Sequence, residues 1–186
     1  MVQKPSRRIY FKQFRAISHA ISTYEDFSLL INHFVESLPR SFNVKGCSLL
    51  LLDEREKQLI HLRSCGVSDE YLSKGAIFVD KKYSAFVIGE PVFVADLQND
   101  PRVQYPEAAA KEGFVSMLSL PIKSRERVVG LIRIYNSEPW ALHEDDIDSF
   151  CILAEHLGLA IENNGLKNFL DMIKAAVESL PKRLLE

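Results

Sequence analysis

The sequence predicts an α+β domain with a central antiparallel β-sheet. Two apolar, β-branched runs at residues 113–122 and 128–135 are separated by a short polar segment, and runs at 44–53 and 59–65 repeat this arrangement. Each pair predicts an antiparallel hairpin. Amphipathic helical segments lie at both ends of the chain and must each bury an apolar side. We therefore expect these helices to cover one face of the sheet.

Composition is that of a soluble globular domain and excludes several classes of protein. The 186 residues are 47% hydrophobic and 26% charged, with a net charge of −2. This balance provides no broad positive field for nucleic acid or an anionic membrane. No apolar segment approaches the ~20 residues that span a bilayer. We therefore expect a cytoplasmic protein, with no nucleic acid and no membrane among its partners.

Two helices are predicted before the first hairpin. In residues 9–21 the apolar side chains alternate at spacings of three and four, which is typical of a helix. Ser22 and Thr23 are predicted to cap a second helix, which Pro39 helps to end. The domain organisation that we expect is an N-terminal helix at 1–22, a core domain at 23–164 and a C-terminal helical extension at 165–186.

The first hairpin contains two of the three cysteines, Cys47 and Cys65. A loop of three or five residues between the strands would place them opposite each other, whereas a loop of four would separate them. They are interpreted either as a redox pair or as two small buried hydrophobic residues. The sequence leaves both interpretations open.

The last helix is predicted to begin near Glu144, where acidic residues suit the positive end of the helix dipole. Its later part has an apolar seam of heptad spacing that extends past the body of the domain. The seam consists of Ile152, Leu159, Leu166, Leu170, Ile173, Val177 and Leu180. We predict that it forms a homodimer interface; the alternative is packing within the chain, including against the N-terminal helix.

Several local stretches, taken in order, resemble the GAF domain family. They are residues 47–53, 89–96, 113–122, 129–132 and 154–163, within a region from about 27 to 164. The resemblance implies the strand order 2-1-5-4-3, with the first, second and last helices on one face. It implies a small-molecule pocket under loops and short helices on the other face. It also implies a sensory or regulatory role, often as a dimer that acts on a downstream signalling domain or protein.

Departures from the family's specialised members exclude particular ligands. Members that bind cyclic nucleotides have an Asn-Lys-Phe-Asp-Glu motif, which Asn136, Trp140, Glu144 and Asp145 match only loosely and without an evident lysine. Bilin-binding members attach their chromophore through a pocket cysteine, and members that reduce methionine sulfoxide use several. Residues 66–113 contain no cysteine. The cofactor therefore stays unknown.

The pocket that the resemblance implies would be lined by aromatic residues and a few polar ones, as small-molecule sites usually are. The candidate ligand-binding residues are Phe78, Tyr83, Phe86, Phe93, Asp96, Tyr105, Phe114, Ser116 and Leu118. The alternative is that the aromatic residues simply fill a core. The histidines have no metal-ligand spacing and no catalytic constellation is visible, so we expect neither a metal site nor an enzyme.

Three functional hypotheses follow. The first is a sensory module that binds an unidentified small molecule and signals through dimerised terminal helices. The second is a ligand-free dimerisation or protein-interaction domain, and the third is a small enzyme that uses the pocket. A cavity closed by Phe86, Phe93 and Phe114 would favour the second hypothesis, whereas an open and partly polar cavity would favour a ligand.

Overall fold

The computed structural model describes residues 11–79 and 82–178, with side chains as far as residue 175. The helices in these ranges are α1 (Phe11–Thr23), α2 (Phe27–Phe42), α3 (Asp69–Leu72), α4 (Ala85–Ile88), α5 (Pro106–Glu112) and α6 (Glu144–Glu178). The strands are β1 (Gly46–Asp53), β2 (Gln58–Cys65), β3 (Ile77–Phe78), β4 (Val92–Val94), β5 (Ser116–Ser124) and β6 (Arg127–Asn136).

One antiparallel sheet organises these strands in the order β3-β2-β1-β6-β5-β4. The predicted α+β class and the predicted order of five strands are confirmed, because β2-β1-β6-β5-β4 is that order in the present labels. The short β3 adds an edge strand beside β2, with Phe78 opposite Gln58. Both predicted hairpins, β1–β2 and β5–β6, lie in the sheet.

The helices α1, α2 and α6 cover one face of the sheet, which we call the helical face. Phe150 of α6 lies edge-on between Phe42 of α2 and Trp140, at centroid distances of 5.1 and 6.3 Å. At Gly158 of α6 a Cβ atom would lie 2.0 Å from the carbonyl oxygen of Lys123 in β5. The absence of a side chain there lets the helix approach the sheet backbone closely.

The N-terminal helices differ from the prediction at their ends. α1 ends at Thr23, and the hydroxyls of Ser22 and Thr23 donate to the carbonyl of His19 instead of capping α2. The cap of α2 is Asp26, whose carboxylate accepts from the amide of Leu29 at 2.9 Å. The helix also continues past Pro39 to Phe42, because the proline ring obstructs only the turn that precedes it. Residues 9 and 10 of the predicted first helix lie outside the described residues.

A β-bulge decides the relation between the two hairpin cysteines. Four residues separate Asp53 from Gln58, a loop length expected to shift Cys47 and Cys65 apart. The register changes by one residue between Leu49 and Leu50, and this change places Cys47 directly opposite Cys65. Both thiols are free, and burial raises the pKa of the Cys47 thiol well above its usual range.

The last helix, α6, contains 35 residues and continues without a break past Asn164. Its first half packs against β5 and α1, and the Ser18 hydroxyl lies 3.0 Å from Nδ1 of His156. From Gly165 to Ala175 every residue is exposed. Among the helices of the described ranges, none has the length and apolar character needed to cross a bilayer.

Candidate functional site

A cavity lies on the face of the sheet opposite α1, α2 and α6, beneath α3, α4 and the segment before α5. The centres of water molecules can occupy about 70 Å³ of it, which is room for roughly five waters. Its floor comes from β4, β5 and β6. The lining residues are Tyr71, Lys74, Phe78, Tyr83, Ser84, Ala85, Val92, Val94, Arg102, Val103, Gln104, Tyr105, Met117, Ser119, Leu131 and Arg133.

Arg133 is the main polar feature of the cavity floor. It is in the middle of β6, where the register places it between Ser48 of β1 and Ser119 of β5. Leu131 lies on the same face of β6 and is buried. The Nε atom of Arg133 is buried and has no hydrogen-bond partner among the described residues. Among the described strand residues that line the cavity, Arg133 is the one that carries a charge.

Lys74 brings a second positive charge to the same cavity. Its Nζ donates to the carbonyl of Tyr71 at 2.9 Å and lies 3.7 Å from the centroid of the Tyr71 ring. The pKa of Lys74 is lowered to about 8, chiefly by burial and also by the charge of Arg133, while Glu112 acts in the opposite direction. The positive charge of Arg133 therefore disfavours the charged form of Lys74.

His61 of β2 lies close enough to both cations to respond to them. Burial lowers the pKa of His61 to about 4, and the charges of Lys74 and Arg133 act in the same direction. Neither ring nitrogen has a hydrogen-bond partner among the described residues. The imidazole is therefore neutral at physiological pH and adds no third positive charge.

A cluster of three aromatic rings supports one side of the site, and Tyr71 is the member that lines the cavity. Phe114 stacks on Tyr135 with ring centroids 4.3 Å apart, and Tyr71 contacts both rings edge-on. Burial raises the pKa of the Tyr71 and Tyr135 hydroxyls above the usual value, so both stay protonated. Packing of this kind provides a preorganised wall beside Lys74.

Two polar contacts lie in the roof of the cavity, a hydrogen bond of Tyr105 and an ion pair of Arg102. The Tyr105 hydroxyl donates to the carbonyl of Ala76 at 2.6 Å. Gly75 has φ +130°, and a Cβ atom there would lie 2.7 Å from the same hydroxyl. Arg102 lines the outer part of the cavity, but its guanidinium is paired with Asp100 at 2.5 Å. Of the three lining cations, Arg102 is thus already neutralised.

The candidate residues from the sequence occupy different parts of the domain. Phe78, Tyr83 and Tyr105 line the cavity. Phe86 packs beside it against the cluster of Leu50, Leu59, Ile77, Ala85 and Leu131, and Phe114 is fully buried behind Tyr71. Asp96 is exposed and caps its own turn through the amide of Gln98.

The remaining three candidates contribute to other surroundings. Phe93 and Leu118 belong to the core of the helical face, because side chains alternate along β4 and β5. The Ser116 hydroxyl is buried and donates to the carbonyl of Glu138 at 2.8 Å. The cavity face of these strands instead presents Val92, Val94, Met117 and Ser119.

Lys74, Ser119 and Arg133 line the cavity but were not among the residues predicted from the sequence. The sequence does indicate Arg133, because it is a charged residue inside the apolar run of a central strand, where charged side chains are rarely buried unless they are paired. Nothing in the sequence indicates Lys74 in the same way, because its position depends on how the turn after α3 folds over the sheet. Within the described ranges, no group of three or more His, Cys, Asp or Glu side chains could hold a metal ion.

Comparison with known proteins identifies the class. The GAF domain family matches residues 26–161, so this chain belongs to the GAF family, whose domains have sensory and regulatory roles in signalling proteins. None of the curated proteins compared with the chain matches it.

Solved structures agree on the fold. The GAF domain of a phosphoenolpyruvate-protein phosphotransferase from Coxiella burnetii has a TM-score of 0.76 at 19% identity, covering 84% of this chain and 95% of that one. The corresponding domain from Acinetobacter has a TM-score of 0.70 at 19% identity, covering 84% and 96%. A free methionine-R-sulfoxide reductase from Neisseria meningitidis, solved with its substrate, has a TM-score of 0.69 at 17% identity, covering 85% and 95%.

Proposed function

We propose that this GAF domain is a cytoplasmic regulatory module that binds a small molecule in the cavity beneath α3 and α4. Binding would be transmitted through dimerised terminal helices to a downstream signalling domain or protein. The observation that carries the proposal is the polar character of the cavity, whose described lining includes Lys74, Arg133, Ser119 and Gln104. A few polar groups in an otherwise apolar cavity are the usual composition of a small-molecule site.

The aromatic residues expected to close an empty core do not close this cavity. Phe86, Phe93 and Phe114 are absent from its lining, and polar side chains such as Ser119 and Gln104 contribute to it. This arrangement favours a ligand over the alternative of a ligand-free interaction domain. The small volume favours a ligand of few atoms.

The dimer part of the proposal is supported by the exposed apolar residues of α6. Leu159, Leu166 and Leu170 are 58%, 52% and 55% exposed, and Ile152 and Ile173 are 41% and 43% exposed. Contiguous exposed apolar surface of this kind is typical of an interaction site. Their heptad spacing fits a second copy of the same helix. Val177 and Leu180 of the predicted seam lie outside the residues whose side chains are described.

The coupling we propose is local. In the cavity roof α4 contacts β5 and β6, and β5 contacts the first half of α6, which approaches it closely at Gly158. A ligand that binds more tightly to one conformation of the roof shifts the population toward that conformation. The change would reach α6 because α6 packs on the same strands. No nucleophile–base pair is part of this mechanism, so the proposed role is regulatory and not enzymatic.

The ligand-binding proposal is tested by a thermal-shift screen of the full chain against common metabolites and nucleotides. A compound that binds the folded state is expected to raise Tm by an amount that grows with its concentration. Phe93→Leu changes a residue of the helical face. If this variant keeps the ligand-induced rise in Tm, the ligand binds away from that face. If no compound changes Tm, the ligand-free interaction domain becomes the better description.

The dimer proposal has a matched pair of variants on α6. Leu170→Asp places a charge in the seam, whereas Asn168→Asp places the same charge two residues away and outside it. Light scattering should give a dimer for the wild type and Asn168→Asp and a monomer for Leu170→Asp. A monomeric wild type would contradict the homodimer.

A further inference from the structure

We infer that the cavity binds a small organic anion, with a carboxylate or phosphate group on Arg133 and Lys74 and a short apolar body against the aliphatic residues of β4 and β6. This inference rests on the proposed function and specifies its ligand class. It depends on the charges, hydrogen bonds and volume of the cavity in this chain.

The charge of the cavity is positive and uncompensated. Among the described residues that line it there are three cations, Lys74, Arg102 and Arg133, and no aspartate or glutamate. Arg102 is paired with Asp100, which leaves Lys74 and Arg133. Glu112 influences Lys74, but its carboxylate already accepts from the amide and hydroxyl of Ser68. Within the part of the lining that the structure describes, two cations therefore share the cavity without a carboxylate.

The hydrogen-bonding groups suit an oxyanion. Arg133 lines the cavity, and the fork of parallel N–H groups of a guanidinium is the usual partner of carboxylates and phosphates. Lys74 is a second donor, and among the described residues its Nζ atom donates to the carbonyl of Tyr71. The hydroxyl of Ser119 lies beside Arg133 in the β5–β6 register and adds a neutral donor.

The apolar part of the cavity lining determines the size and character of the uncharged end of the ligand. Val92, Val94 and Leu131 are aliphatic, and Met117 lies between them and the aromatic wall. Space for roughly five waters corresponds to a molecule of about six heavy atoms. A charged head with a short apolar tail satisfies both halves of the lining, whereas a bare inorganic ion would leave the apolar half empty.

The test uses the full chain and three probes of matched size: sodium butyrate, sodium propylphosphonate and uncharged butyramide. All are titrated into the millimolar range at constant ionic strength, so that screening of the cations does not change. At least one anion should raise Tm by about 3–6 °C at ten times its Kd, and butyramide should not. The anion that raises Tm more at the same concentration identifies the head group as carboxylate or phosphate.

Two variants on β6 distinguish the effect of a charge in the cavity from the effect of the protein's net charge. Arg133→Met should weaken binding of the effective anion by about 10–100-fold, the usual value of a charged hydrogen-bonding partner. Arg127→Met removes the same charge from the exposed end of β6, where Arg127 pairs with Glu54, and should leave the affinity unchanged. Arg133→Met also removes an uncompensated cation, so its Tm without probe should not fall.

The pH dependence provides a readout that a structural role would not give. Lys74 is faced by Arg133 from β6, His61 from β2, Glu112 from α5 and Tyr71 from α3. Because the pKa of Lys74 is about 8, wild-type affinity for butyrate should fall as the pH rises from 7 to 9. Lys74→Met should bind more weakly and lose this dependence.

The outcomes are distinct for the inference and for the proposed function. Equal shifts by butyramide and butyrate, or equal weakening by Arg127→Met and Arg133→Met, would overturn the inference. If neither anion raises Tm while an uncharged metabolite does, the inference fails and the proposed function stands. If no compound of any charge binds, both fail.

Discussion

The two faces of the sheet share the same strands but differ in what covers them. On the helical face, Leu118, Leu120 and Ile132 meet three amphipathic helices, and each is at most 1% exposed. On the cavity face, the neighbouring positions of the same strands carry Ser119 and Arg133 under short helices and loops. The long helices provide continuous apolar surface that can exclude water, whereas the short elements cannot. The continuous apolar core therefore lies on one face of the sheet and the polar cavity on the other.

The largest expected difference between the faces comes from the same substitution on each. Leu118→Ala on the helical face should cost about 4–5 kcal/mol of unfolding free energy, because the surrounding helices cannot collapse into the space. Leu131→Ala, beside the cavity, should cost about 2–3 kcal/mol, since its side chain already borders unfilled volume. Urea denaturation of both variants measures the difference. Equal costs would show that the two faces are packed alike.

A pair of glycines on α6 tests how closely the helix approaches the sheet. Gly158→Ala forces a Cβ atom against the carbonyl of Lys123 and should destabilise the domain by about 1–3 kcal/mol. Gly165→Ala has nothing within 4 Å of the added Cβ atom. It should stabilise the helix by up to about 1 kcal/mol, because alanine has the higher helix propensity. Thermal unfolding followed by circular dichroism distinguishes these signs, and a stable Gly158→Ala protein would contradict the close approach.

The sequence predicted the fold to a large extent because the helical face depends on local patterns. The hairpin runs and the amphipathic stripes of α2 and α6 are periodic, and periodicity predicts which side is buried. The relation of Cys47 to Cys65 was beyond such reasoning, since a bulge at Leu49 and Leu50 compensates a loop of even length. Bulges of this kind leave no fixed sequence signal.

The cavity was harder to predict than the fold for a related reason. Its lining combines alternate residues of three strands with loop residues more than fifty positions away along the chain, as Lys74 and Arg133 illustrate. Phe93 and Leu118 were among the candidates, although the alternation of side chains along β4 and β5 directs them toward the helices. Aromatic content suggested the site, whereas charge in an apolar strand was the more specific signal.

The smallest expected effect concerns the pH response of the cavity face. His61 has a folded-state pKa of about 4, against an ordinary value of 6.5 in the unfolded chain. Between these values the unfolded state binds more protons, so stability should fall as the pH decreases from 6.5 to 4. The ring is partly exposed, so the contribution should be about 0.5–1 kcal/mol after allowance for solvent screening.

Replacing the titrating ring isolates this contribution. His61→Gln should flatten the stability profile between pH 6.5 and 4, whereas His19→Gln on the exposed side of α1 controls for the substitution itself. Urea midpoints at several pH values supply the profiles. Because Lys74 and Arg133 help to keep His61 neutral, Arg133→Met should raise the pKa of His61 in the folded state toward its value in the unfolded chain, and so reduce the stability lost between pH 6.5 and 4. An acid transition that is identical in wild type, His61→Gln and Arg133→Met would mean that the three groups do not share one electrostatic environment.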